Sequence, residues 1–177
     1  MLYLIDYENT GARGLCGCEC LDENDKVIVF HGEDQEDMIT KLKSSLPETK
    51  SQIIYRGVST GRKNALDFQL SSYLGALICA SKENSFCIVS KDKGYEVLEN
   101  FWGMEADISF AESISKHIGI DMKESLNKIY GTQATNTIIK IMDTSESKAN
   151  FHGQLCHTFG AETGKDIYHK VKFYACQ

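Results

Sequence analysis

Three aspartates stand far apart in the chain: Asp6 in Tyr3-Leu4-Ile5-Asp6-Tyr7-Glu8-Asn9, Asp67 in Asn64-Ala65-Leu66-Asp67-Phe68-Gln69-Leu70, and Asp92 in Val89-Ser90-Lys91-Asp92-Lys93-Gly94-Tyr95. Carboxylates are costly to gather in a low-dielectric cleft unless a cation compensates. If these three converge, the ion they suit is Mg²⁺ or Mn²⁺, hard cations that take oxygen ligands and retain waters. Each aspartate also has a plainer explanation. Asp67 sits in the first turns of a helical stretch, where the helix dipole favours an acid. Asp92 could cap the helix that follows it, and Asp6 could satisfy a turn. Position favours the joint reading: Asp6 directly follows an apolar run and Asp92 lies two residues past another. In open α/β sheets, ligands gather at the carboxyl ends of the strands, beside a topological switch point.

The surrounding pattern supports such a sheet. Residues 2–5, 26–31, 51–56 and 85–90 are short apolar runs of the kind buried on both faces, and a shorter fifth covers 106–110. Helical spacing marks 34–46, which Pro47 ends, 64–80, which carries a broad apolar face, and 94–102. Strands alternating with helices imply a parallel sheet of four to five strands flanked by helices, because parallel strands need crossovers that cover both faces. Beyond residue 115 the strand pattern stops, and 122–130, 134–142, 148–159 and 163–174 read as short amphipathic helices punctuated by Gly131, Gly160 and Gly164. This tail carries few large apolar residues, so the expectation is that it packs on the α/β unit or on a partner rather than building its own core. The division expected is 1–115 for the α/β domain and 116–177 for a helical extension.

Bulk properties narrow the class. The 177 residues carry a net charge of −6, which argues against gripping duplex DNA through a broad basic face. It does not exclude a metal-dependent site, because bound ions reverse the local sign. Seven cysteines are scattered. Only Cys16-Gly-Cys18-Glu-Cys20 clusters, and it lacks a matching second pair for tetrahedral zinc, since His152, Cys156 and His157 do not form one. No apolar stretch approaches the roughly 20 residues of a membrane span. Met1 runs directly into the first strand with no basic leader. The expected setting is the reducing cytoplasm, with no membrane.

The three aspartate segments, in this order and on this background, resemble three successive motifs of the PIN-like nuclease domains, closest to a bacterial branch and more distantly to the NYN group. The resemblance covers roughly residues 1–115, about two-thirds of the chain. It implies a Rossmann-like sheet and metal-dependent hydrolysis of phosphodiester bonds, most often in RNA. Asp6, Asp67 and Asp92 would then be the catalytic, metal-holding acids, acting by a two-metal logic at roughly 3.5–4 Å separation. Many members present a further aspartate where this chain has Gly94. Glu8, Glu96 or Asp107 could supply a fourth carboxylate; without one, the second ion is weakly held or lost. Asn9 and Ser90 are candidates to orient a water or a carboxylate, with turn and strand-end roles as alternatives. Arg62, Lys63 and Lys93 are candidates for phosphate contacts, as is Lys91, for which a solvated charge is preferred. Tyr7, Tyr95 and Trp102 could stack on single-stranded bases, with core packing preferred for Trp102. The tail, through Phe159-Gly160-Ala161-Glu162 and Ile167-Tyr168, is similar to a helical extension of that branch. It is a candidate surface for a homodimer or a regulatory protein.

The expected activity is an endoribonuclease on single-stranded RNA, or on single-stranded DNA. The competing reading is a catalytically weak nucleic-acid-binding or regulatory module that keeps the fold. A toxin or defence effector controlled through the tail is compatible with either. A phosphatase of the haloacid-dehalogenase type also places an aspartate after its first strand, but it needs a second two residues on, where this chain has Glu8, and a lysine partner that the helix lacks.

Overall fold

The computed structural model describes residues 1–59, 61–80 and 84–171. Among them, five strands form one parallel sheet: β1 (Leu2–Asp6), β2 (Lys26–Gly32), β3 (Gln52–Val58), β4 (Ser85–Val89) and β5 (Asp107–Ala111), in the order β3-β2-β1-β4-β5. The chain runs outward from β1 to β3, then returns across the sheet to β4. The switch point therefore falls between β1 and β4, where two neighbouring strands send their following loops in opposite directions.

Side-chain alternation divides the core into two layers. Leu2 and Leu4 of β1, Ile28 and Phe30 of β2, and Phe86 and Ile88 of β4 face one side. There they meet Leu66, Leu70 and Leu74 of the long helix α3 (Ala65–Ala80). Tyr3 and Ile5, Val27 and Val29, and Cys87 and Val89 face the other side, under α2 (Glu36–Lys43) and the short α5 (Ile114–His117). The sequence pattern places the five strands, α2 and α3 to within a few residues, whereas α5 was not expected. The helix expected over 34–46 is shorter, starting as a 3-10 turn at Glu33–Gln35, and that expected over 94–102 divides into a 3-10 turn, Lys93–Glu96, and α4 (Val97–Trp102). After β1 the chain makes a single helical turn, α1 (Tyr7–Thr10), then 3-10 turns at Gly11–Leu15 and Cys18–Cys20, which the polar and glycine-rich spelling there did not announce. Cys18 packs in the core, and burial pushes the Cys16 thiol up to about 12.

The tail rests on the α/β unit through its first helix and the turn at Cys18–Cys20, in line with expectation, but departs from it in building a core of its own. It folds as α6 (Met122–Thr144), α7 (Lys148–Phe159) and α8 (Ala161–Val171), with α6 broken at Gly131, whose φ of 75° no helix accommodates. The last part of the helix expected over 163–174, and Cys176, lie outside the described residues. Leu126, Ile138, Ile141, Phe151, Leu155, Ile167 and Val171 form a separate buried cluster. A core was not expected from so few large side chains. Small residues compensate: Gly164 lets α8 lie directly against the backbone of Leu155 and Cys156 in α7, so modest side chains fill the remaining space. Among the described residues no helix is long and apolar enough to cross a membrane.

His117 ties α5 to the sheet. Its Nδ1 accepts from the Tyr3 hydroxyl at 3.1 Å and its Nε2 donates to Ser109 Oγ at 3.0 Å, while Ser109 donates to the Phe86 carbonyl at 3.1 Å. This donor chain needs a neutral ring. Burial lowers the His117 pKa from 6.5, against a smaller opposing pull from the charges of Asp107 and Asp25.

Two outcomes are expected. A folded-state histidine pKa below its unfolded value means the unfolded chain takes up protons first, so stability is full above pH 6.5 and falls as pH drops below it. Urea unfolding at stepped pH should lose that slope in His117→Asn; an unchanged slope contradicts the neutral-ring network. Gly164→Ala should cost about 1–3 kcal/mol, the usual range for overpacking, in the same assay. A variant as stable as the parent would mean that the two helices do not approach as closely as described.

Candidate active site

The alternation that buries Leu2 and Leu4 carries on to Asp6, and the one that buries Phe86 and Ile88 carries on to Ser90. Ile5 pairs with Val89 in register, so Asp6 and Ser90 come out side by side at the carboxyl edge, on the α3 face. Ser90 Oγ donates to Asp6 Oδ2 at 3.0 Å and accepts from the Asp92 N–H at 3.0 Å. The Asn9 N–H donates to Asp6 Oδ1 at 3.1 Å, and Asn9 Oδ1 accepts from the Lys91 N–H at 3.0 Å. Asn9 and Ser90 thus stitch the loops after β1 and β4 together across the switch point. The plainer roles hold at the same time. Asp6 is the N-cap of α1, and Asp92 caps the 3-10 turn by accepting from the Gly94 N–H at 2.7 Å.

Asp67 reaches the same place from the third residue of α3. The turn before that helix is tight: Asn64 has φ 61°, the one non-glycine with positive φ among the described residues, a conformation asparagine tolerates better than most. The contact joining the helix to the strand edge is Tyr95. Its hydroxyl donates to Asp67 Oδ1 at 2.7 Å and lies 3.4 Å from Asp6 Oδ2. The ring is 4% exposed and belongs to the α3-side core. Burial, followed by the charges of Asp6 and Asp67, raises its phenol far above the ordinary range, so it stays a donor. The base-stacking role considered for Tyr95 does not fit this burial. Tyr7 is buried in the opposite layer, and Trp102 packs against the α3-side core beside Gly75.

Asp6, Asp67 and Asp92 line one open cavity of about 550 Å³ with Glu8, Asn9, Arg62, Lys63 and Asn64. Asp6 is only 2% exposed. Burial raises its pKa above 3.8 and the Asp67 charge adds to the rise, while bonds from Asn9, Ser90 and Tyr95 oppose it. The carboxylate is therefore held where its charge is not fully compensated, and Arg62 and Lys63 line the same cavity.

The remaining candidates separate by position. Glu8 lines the cavity. Glu96, Lys91 and Lys93 line an adjoining hollow that shares Asp92 with it. Asp107 is not brought to the site: it opens β5 and pairs with Ser85 at the amino edge, roughly 15 Å away at the rise of a strand. Gly94 occupies the position of the further aspartate that the resemblance implies. A Cβ there would stand 3.0 Å from Asp92 Oδ1, so the glycine allows its N–H to cap that carboxylate.

The donor set is oxygen throughout, which suits Mg²⁺ or Mn²⁺. The three carboxylates share a cavity without closing on one point, and among the described residues no group of three His, Cys, Asp or Glu side chains is close enough to hold an ion. A family model for the PIN domain matches residues 1–107, and the chain belongs to that family. PIN domains are in general nucleases that act on nucleic acids and typically use divalent metal ions. No curated protein and no solved structure gives a significant match.

Tyr95→Phe removes the donor between two acids. In metal-free urea unfolding it should cost about 1.5 kcal/mol, the low end for a hydrogen bond to a charged group because Asp67 is only half-buried. Combined with Asp67→Asn, the two effects should fall short of additivity by at least about 0.5 kcal/mol. Strict additivity would mean that this bond does not join helix to strand.

Proposed function

We propose that the chain is a metal-dependent endonuclease for single-stranded RNA, with residues 1–115 as the catalytic unit and 116–177 as its appendage. The observation that carries this reading is that three aspartates distant in sequence line one cavity at the switch point of a PIN-family sheet. Asp6, Asp67 and Asp92 would hold Mg²⁺ or Mn²⁺, with Glu8 the fourth carboxylate best placed to help. The chemistry such an ion supplies is Lewis-acid stabilisation of charge on a scissile phosphate, together with a water nucleophile at neutral pH. The chain's own groups do the positioning. Asn9 and Ser90 fix the Asp6 carboxylate from two sides, and Tyr95 keeps Asp67 turned toward it. Arg62 and Lys63 contact phosphate oxygens, which gives affinity without sequence readout. Lys93, one hollow away, takes the strand as it leaves.

A second reading has its own support. The Tyr95 hydroxyl stands between Asp6 and Asp67, Gly94 replaces a further acid, and the three carboxylates do not meet at a point. A domain arranged in this way could bind nucleic acid and cleave it weakly or not at all.

Purified protein with Mn²⁺ or Mg²⁺ should cleave single-stranded RNA, and Asp6→Asn or Asp92→Asn should reduce cleavage roughly a hundredfold or more, the order seen when a charge-stabilising group leaves an active site. Variants as active as the parent would assign the cleavage to a contaminant. Mn²⁺ should also raise the melting temperature, by about 2.7 kcal/mol of stability at a hundred times its dissociation constant, and Asp67→Asn should abolish that rise. RNA binding with no metal response and no cleavage would select the second reading.

A further inference from the structure

Beside the acid cavity lies a second hollow, of about 210 Å³, which shares Asp67 and Asp92 with it. Its apolar lining comes from Phe68 of α3 and from Val97 and Leu98 of α4, with Tyr95 between the two helices and Asn64 and Ser71 contributing polar groups. Phe68 is 71% exposed although Leu66, Leu70 and Leu74 of the same helix are buried, and Val97, the first residue of α4, is 63% exposed. These side chains contribute little to the core, so their position beside two acids asks for a ligand.

We infer that this hollow seats one unpaired nucleobase, the base next to the phosphate held at the acids. The inference rests on the nuclease reading above and adds substrate selection to it. A nucleobase has two apolar faces and a polar edge. Phe68 and Val97 offer surface to the faces, while the Asn64 amide and the Ser71 hydroxyl offer a donor and acceptor to the edge. The shared acids make the two hollows one continuous site, so a phosphate at Asp67 and Asp92 leaves its own nucleoside within reach of Phe68. The hollow suits a single planar group and is too small for a helix or a folded segment. A base inside a duplex has both faces stacked and its edge paired, and it must be extruded at an energetic cost before it can enter. Selection for single strands follows from the shape of the site, without sequence readout by the acids.

The test uses the full chain with Ca²⁺ to hold cleavage off, and a labelled single-stranded RNA oligonucleotide followed by fluorescence anisotropy. Phe68→Ala should weaken binding roughly five- to a hundredfold, the range for losing one base stack. Replacing one nucleotide at a time by an abasic residue should weaken the parent at one position by a similar factor and leave Phe68→Ala indifferent there. In Phe68→Trp, binding should quench indole fluorescence beyond any change in the parent, whose own Trp102 is the control. Phe68 is exposed, so these variants should fold; circular dichroism melting checks it. Equal binding by parent and Phe68→Ala, or a flat abasic scan, overturns the base seat and leaves the nuclease reading standing. Failure of the parent to bind any oligonucleotide overturns both. A change in sedimentation from dimer to monomer in Phe68→Ala, with RNA binding intact, would make this face a contact between copies of the chain and overturn the seat.

Discussion

A carboxylate that ends a central strand has to be solvated by something, and at Asp6 water contributes little. The residue is 2% exposed, and its charge is opposed by burial and by Asp67. Three neighbours compensate in part: the Asn9 amide, the Ser90 hydroxyl and, more distantly, the Tyr95 phenol. Each belongs to a different loop or turn at the same sheet edge. Satisfying one buried charge therefore fixes how the segments after β1 and β4 meet, and Tyr95 extends the arrangement to α3. A site whose negative charge is only partly compensated is less stable than it could be, and it gains most from a bound cation. Stability given up in this way is a common property of functional sites.

The architecture follows from strand order. Because β1 and β4 are neighbours whose connections diverge, the space above their carboxyl ends stays open, and the α3 face supplies its wall. Arg62, Lys63 and Asn64 enter that space from the turn before α3, which the left-handed backbone at Asn64 makes tight. The tail has its own small core and rests through α6 on the 3-10 turn at Cys18–Cys20, while His117 holds the preceding α5 to the sheet. Its close α7–α8 contact depends on backbone approach rather than on bulky side chains.

Much of this was legible in the sequence because the strands are buried on both faces and so are spelled in continuous apolar runs. Asp6 and Ser90 were legible as strand-end residues; that they share a face follows from the register of β1 against β4. The long apolar stripe of α3 located Asp67 within its first turn. Other features left weaker traces. Tyr95 looked like a stacking residue, although a lone aromatic among Lys93, Gly94 and Glu96 is also what an inward-facing side chain looks like. Asp107 was considered as a fourth carboxylate although the expected run 106–110 already had it near the start of a strand; its pairing with Ser85 puts it at the amino edge. Phe68 was hidden within an apolar helix, where exposure depends on which neighbours arrive. The tail core was missed because glycine contributes by what it lacks, and apolar counts do not register that.

The role proposed for the charge gathered around Asp6 is to receive a divalent cation. The most direct measurement is the anomalous difference map of crystals grown with Mn²⁺. A peak within coordination distance of oxygens from Asp6 and at least one of Asp67 and Asp92, with the Tyr95 hydroxyl displaced or retained beside it, is the expected result. A map with no peak in that cavity, or with Mn²⁺ bound only at carboxylates elsewhere, would contradict it.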